Sequence, residues 1–272
     1  MNQATPYANP LYLAEEAAAA DLISGGRLQL GVSRGSPETV LRGAAAFGYQ
    51  PPDGESDADY ARRKTEIFLA AIGGAAVAST DPGRTGISAG LAIQPQSPGL
   101  AERIWWGSGT RATAQWAATL GLNLQSSTLL SEDTGVPFGD LQAEQIRQYR
   151  EAWAAQAWPR EPRVSVSRSV LPITQDIDRR YFGGEGRDDQ VGLLEGVQAR
   201  FGRTYAGEPD EISAELASDA AVQAADTVLF TVPNQLGVAY NARMLETIAR
   251  HIAPAIGWTP ATTVAASSEA PS

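Results

Sequence analysis

The 272-residue chain has no cysteine and one histidine, His251. The first absence excludes disulfides, thiolate metal sites and cysteine nucleophiles, and it fits a reducing, cytoplasmic setting. The second argues against zinc clusters and Ser-His-Asp triads, so no metal is expected, and His251 reads as a helix-surface or partly buried residue. Long apolar runs are absent, as is the basic-then-apolar N-terminus of a secretory signal, so a soluble, unexported protein with no membrane association is expected. Basic residues are scarce: 21 Lys+Arg face 31 Asp+Glu, a net charge of −10. Phosphate neutralisation along a nucleic acid needs clustered cations, which this chain lacks.

What is present is an ordinary globular composition, 43% hydrophobic, enough for a sizeable core. Helices and strands alternate. Asn9 can cap a helix that starts at Pro10, and Gly25 can close it, so a helix is expected over 10–24. Strands are expected over 27–33, 103–107, 122–126, 163–171 and 226–232. Further helices are expected from Ser36 and Pro37 onward, over 110–120 and 141–158, near 190–201, within "AGEPDEISAELAS" and over 240–255. Residues 50–57 and 79–86 read as polar breaks. Strands alternating with helices, without hairpin signals, indicate a mainly parallel α/β sheet. One domain over 1–258 and a disordered tail over 259–272 are expected.

Two segments carry candidate chemistry. In "GGRLQLGVSRG", setting Leu28, Leu30 and Val32 against outer helices turns Gln29, Gly31 and Ser33 inward and leaves Arg34 at the C-terminal strand end. There a guanidinium fork suits phosphate, although an arginine after a strand also serves as a plain surface residue. In "WWGSGTRATAQW", a strand ends in Gly107-Ser108-Gly109, and Thr110 and Thr113 open a helix whose N-terminus favours an anion. The same pattern suits a Gly/Ser turn with a threonine cap. Trp105, Trp106, Trp116, Trp153 and Trp158 read as helix–sheet packing. The loop over 175–189 reads as a lid or a flexible surface loop, hinged at Gly183, Gly184 and Gly186.

With "NPLYLAEEAAAADLISGGRLQLGVSRG", "IWWGSGTRATAQWAATLGL", "AGEPDEISAEL" and "VPNQLGVAYNARMLETIARHIAPAIGW" in this order, the chain resembles the bacterial luciferase-like family of flavin-dependent monooxygenases. The resemblance implies a (β/α)8 TIM-barrel fold binding FMN, or in some relatives the deazaflavin F420, at the C-terminal mouth. It implies that Arg34, the Gly109 backbone, Thr110 and Thr113 hold the phosphate and that Ser33 touches the isoalloxazine. Asn234 and Gln235, which follow the last strand at the same mouth, read as substrate contacts or as loop hydrogen-bonding residues. The luciferases carry an acid where Gly109 stands. By the resemblance the chain begins at strand four, with "MNQATPYA" unable to replace the missing units, and an incomplete barrel of strands four to eight is expected. The implied activity is oxygenation of an organic substrate by reduced flavin and O2. A separate flavin reductase would supply the flavin, because no G-x-G-x-x-G follows a strand. The exposed sheet edges make self-association into a homo-oligomer the expected state. A non-catalytic, flavin-binding fragment is the competing expectation, and no catalytic residue is assigned.

Overall fold

A computed structural model of the chain describes residues 2–35, 43–86, 88–132, 134–184, 188–194 and 197–260. Along it run β1 (Asn2–Ala4), α1 (Pro10–Ile23), β2 (Leu30–Ser33), α2 (Gly43–Ala46), α3 (Asp57–Ile72), α4 (Pro82–Thr85), β3 (Ile104–Ser108), α5 (Arg111–Thr119), β4 (Asn123–Ser126), β5 (Leu129–Leu130) and α6 (Phe138–Ala154). Then come β6 (Val164–Pro172), α7 (Asp176–Phe182), β7 (Gln190–Leu194), β8 (Val197–Phe201), β9 (Thr204–Gly207), α8 (Pro209–Ser218), α9 (Ala220–Ala224), β10 (Thr227–Thr231) and α10 (Val238–Thr247). Among the described residues no helix is long and apolar enough to cross a membrane.

All five expected strands form, as β2, β3, β4, β6 and β10, and with β1 they lie parallel in the order β1-β2-β3-β4-β6-β10, as a curled half-barrel of TIM-barrel type. Ser169 of β6 pairs with Thr231 of β10 and with Thr204 of β9, so β9 must lie on the side of β6 opposite β10. That side is the one β4 occupies lower down, where Gln125 pairs with Ser165.

The first helix matches its signals. Asn9 Oδ1 accepts from the Leu11 and Tyr12 N–H groups at 2.9 and 3.4 Å, and Gly25 and Gly26 turn away at φ of +66° and +76°. Three expectations are corrected. The N-terminal segment does supply a strand: β1 pairs in parallel with β2, Ala4 against Ser33. The stretch near 190–201 is no helix; β7 and β8 pair antiparallel, and β8 pairs with β5 in a separate three-stranded sheet. That pairing is long-range, and local periodicity does not encode it. Part of the 175–189 loop is α7, capped reciprocally by Gln175 and Asp178. The expected helix start at Ser36 and Pro37, the hinge Gly186 and the tail from 261 onward lie outside the described residues.

Side-chain alternation divides each strand between two environments. Outward, Leu30, Val32, Ile104 and Trp106 pack on Leu13, Ala17 and Phe68 of α1 and α3. Leu124, Val164, Val166 and Val170 pack on Ile146, Tyr149, Ile212, Leu216 and Ile252 in a second cluster. Of the tryptophans, Trp153 is in this second cluster and Trp106 meets Trp116 edge-on at 4.8 Å. Trp158 is half-exposed and donates to the Ala118 carbonyl at 2.9 Å. Trp105 instead faces inward, stacked under Arg163 and donating to Gln29 at 2.8 Å.

Buried charges pin the helices to the sheet. Arg168 on β6 grips Asp219 with two bonds of 2.8 and 2.9 Å, and Tyr205 donates to the same carboxylate at 2.5 Å. Burial by itself would raise the Asp219 pKa; the Arg168 bonds outweigh it and hold the carboxyl below its usual range. At the N-terminus, Thr5 donates to the Ser33 and Ala61 carbonyls at 3.1 and 3.3 Å. The buried Lys64 amine donates to the Pro6 carbonyl at 3.0 Å and lies 3.9 and 4.7 Å from the Tyr49 and Tyr60 ring centroids.

Removing Arg168 alone strands a buried carboxylate, so Arg168→Met should destabilise by about 3–5 kcal/mol in urea unfolding, with much of that recovered when Asp219→Leu is added. Burial, reinforced by Arg63, lowers the Lys64 pKa to about 8. The unfolded chain then holds one more proton than the folded one from there up to about pH 10.4, so stability should rise with pH across that window. A Lys64→Met variant should lack this rise in the urea midpoint.

Candidate functional site

The strands' inner face is built of small and polar side chains. Gly31, Ser33, Gly107, Gln125, Ser167 and Thr231 stand where a closed barrel would carry branched aliphatics. The result is a cavity of about 530 Å³ at the C-terminal strand ends. Gly107 keeps it open: a Cβ there would lie 3.1 Å from the Ser33 Cβ.

All five residues named for the cofactor line this one cavity. Ser33 and Arg34 arrive at the end of β2, Gly109 and Thr110 in the turn after β3, and Thr113 in the first turn of α5. Two segments far apart in the chain therefore converge, because parallel strands all finish on the same side. Asn234 and Gln235 do not join them; both are exposed in the loop before α10, away from the cavity wall. His251 is exposed near the end of the chain. Among the described residues no cluster of His, Asp and Glu could hold a metal.

In "GSGTRAT" the threonine cap forms, and the same residues face the cavity. The Thr110 hydroxyl accepts from the Thr113 N–H at 3.2 Å, closing the helix start, and the two threonine hydroxyls meet at 2.8 Å. Ser108 joins them, 2.6 Å from Thr113. The Glu132 carboxylate accepts from the Arg111 N–H at 3.3 Å and from its guanidinium at 3.0 Å. An acid thus sits at the positive end of α5 without being the residue at position 109.

Sequence reasoning missed Arg62. It lies on α3 beside Ala58 and lines the same cavity as Arg34. Among the described residues its hydrogen-bond partner is Asp59, which it meets through Nη2 alone. The missing signal was the helix itself: Ser56 caps the Asp59 N–H at 3.1 Å, and Tyr60, Lys64, Phe68 and Ile72 recur on one buried face. Ser127, Thr128 and Ser131, in the turns after β4 and β5, were also missed. The finished wall holds two guanidiniums and many hydroxyls, with no Asp, Glu, His or Lys among the described lining residues. Such a wall suits a polar ligand carrying a phosphate, since nothing lining it repels an anion.

Comparison with known proteins follows the same lines. A family model described as luciferase-like monooxygenase matches residues 4–179. The monooxygenase RslO1 from Streptomyces bottropensis superimposes with a TM-score of 0.61 at 18% identity, over 92% of this chain and 75% of that one. The oxygenating constituent of 3,6-diketocamphane monooxygenase from Pseudomonas putida, solved in complex with FMN, gives 0.59 at 16% identity, over 93% and 78%. The coenzyme F420 dependent tetrahydromethanopterin reductase from Methanopyrus kandleri gives 0.57 at 15%, over 93% and 81%. At these identities the likeness is one of fold. No curated protein matches the chain significantly in sequence.

The Thr110 cap has a measurable consequence. Thr110→Val loses the cap and should destabilise the protein by about 1 kcal/mol in urea unfolding, whereas Thr110→Ser should stay near the original.

Proposed function

Because the chain belongs to the luciferase-like monooxygenase family, we propose that its cavity binds FMN and that the protein uses the reduced flavin with O2 to oxygenate a small organic substrate. One observation carries this reading: Arg34, Arg62, Thr110, Thr113 and the Gly109 backbone, drawn from separate segments, line a single cavity free of acidic side chains. Arg34 and Arg62 would flank the phosphate, and the threonine hydroxyls and the Gly109 backbone would complete its cradle. Ser33, beside the space that Gly107 leaves open, would lie against the isoalloxazine. The flavin would supply the oxygen chemistry; the chain's own residues would orient it, exclude water and shape the pocket. Asn234 and Gln235, outside the wall, would meet only a substrate extending past Thr231.

Reduced flavin would come from a separate reductase. Coenzyme F420 with hydride transfer is the alternative within the same fold. A second reading is favoured by the wall's lack of any acid–base side chain: a flavin-binding chain without turnover. Reductase-coupled oxygen consumption separates the two. We also take residues 1–258 as one domain that self-associates, because β10 presents Thr227, Leu229 and Thr231 exposed on its inner side. Light scattering reports that mass directly.

The primary test is fluorescence titration with FMN and with riboflavin, which lacks the phosphate. Arg34→Ala and Arg62→Ala should each weaken FMN by about 1.5–3 kcal/mol and leave riboflavin nearly unchanged. Absence of saturable FMN binding by the unaltered protein would overturn the assignment.

A further inference from the structure

Two loops form the phosphate side of the cavity, and one buried side chain touches both. Gln145, on the inward face of α6, is fully buried. Its Nε2 donates to the Thr110 carbonyl at 2.9 Å, in the turn after β3, and more weakly to the Ser108 carbonyl at 3.4 Å, at the end of that strand. Its Oε1 accepts from the Ser126 hydroxyl at 2.6 Å, at the end of β4. One helical turn earlier Gln142, equally buried, donates to the Ser127 carbonyl at 2.8 Å and touches the second loop only. Two backbone bonds stitch the loops directly, Ser127 N–H to Ser108 carbonyl and Ser131 N–H to Gly109 carbonyl, each 2.9 Å.

We propose that Gln145 is the positioning residue of the anion side of the cavity, setting the Ser108–Thr110 turn and the Ser126–Ser131 turn in register with one carboxamide. This rests on the reading of the cavity as a flavin-phosphate site, and it makes a claim about the loops that stands apart from any ligand. The chemistry requires glutamine. The position needs a donor for two carbonyls and an acceptor for one hydroxyl on the same planar group; a carboxylate offers only acceptors and an ammonium only donors. The carbonyls matter because a trans peptide fixes the next N–H opposite its C=O. Gln145 shares the Thr110 carbonyl with the Ala114 N–H and the Ser108 carbonyl with the Ser127 N–H, and by holding both oxygens it helps to set the direction of the Gly109 and Arg111 N–H groups. Gly109, Thr110, Ser127, Thr128, Leu129 and Ser131, which the two turns supply to the wall, then take their places as a unit.

The ligand-free test is amide hydrogen exchange. Gln145→Leu should raise exchange in 107–113 and in 126–131 together, while Gln142→Leu should raise it in 126–131 alone. Unchanged exchange in both turns, or the same pattern in both variants, would overturn the proposal whether or not any flavin binds. The ligand test compares FMN with riboflavin. Gln145→Leu should cost FMN roughly tenfold in affinity, the worth of one to two neutral hydrogen bonds, and riboflavin less than about twofold. Gln145→Glu adds a readout that a packing role would not move. Measured against the unaltered protein at each pH from 9 down to 5, its FMN affinity should recover as the buried carboxyl gains a proton and can donate again. Equal losses for both ligands, or a pH-independent deficit, would show that Gln145 merely fills space. If the unaltered protein binds neither ligand, the flavin reading fails and the exchange result alone decides the role of Gln145.

Discussion

The structure depends on a division imposed by the two-residue repeat of its parallel strands. The strands send mostly aliphatic or aromatic residues outward to the helices and, towards their C-terminal ends, mostly glycine, serine, threonine or glutamine inward. The outward half supplies the hydrophobic driving force, in two clusters, one under α1 and α3 and the other under α5, α6 and the C-terminal helices. The inward half is free of that duty, and so it can leave a space. A closed barrel normally fills its interior with branched side chains; here Gly31 and Gly107 on adjacent strands withhold them. The cavity follows from composition on one face of the sheet.

Polar bonds then give the cavity its shape. Asp21 is a useful contrast to the site residues. It is fully buried and accepts from Ser97 at 2.7 Å, from the Leu28 N–H at 3.0 Å and from Arg103, which fixes the passage from α1 into β2. Burial would raise its pKa, and the hydrogen bonds from Ser97 and Arg103 overcome this and lower it. Asp178 does similar work between α7 and α10 through Tyr240 and Arg243, at 2.5 and 2.7 Å. Neither carboxylate lines the cavity. Both tie elements of the fold together, and acid should loosen them together as each takes up a proton below the ordinary carboxylate range.

Much of this was legible in the amino-acid order. The strand pattern of "RLQLGVS" assigns Gly31 and Ser33 inward by simple alternation, and Arg34 follows at the mouth. The convergence of Arg34 with Thr110 and Thr113 needed only the parallel sheet and its common exit side. What escaped had physical reasons. Arg62 was hidden because α3 follows the polar run at 50–57, and its cap at Ser56 falls within that run. The β7–β8 hairpin was hidden because its pairing partner, β5, lies some seventy residues away along the chain, Leu129 against Phe201. Gln142 and Gln145 carried no signal within the helix expected over 141–158. Their burial depends on two turns that reach α6 from other strands, and such tertiary hydrogen bonds have no signature in a single segment.

The short strand β5 belongs to two structures at once. Leu129 lines the cavity, and it also pairs with Phe201 of β8, one of the contacts that tie the hairpin to the rest of the molecule. A ligand that orders Leu129 therefore adds its binding free energy to the stability of the β5–β8–β7 sheet. Thermodynamic reciprocity requires the converse: whatever tightens or frays the hairpin alters affinity in a cavity it never touches. Substitutions in the hairpin can thus retune ligand preference in small steps while the glycines, hydroxyls and arginines of the wall stay as they are.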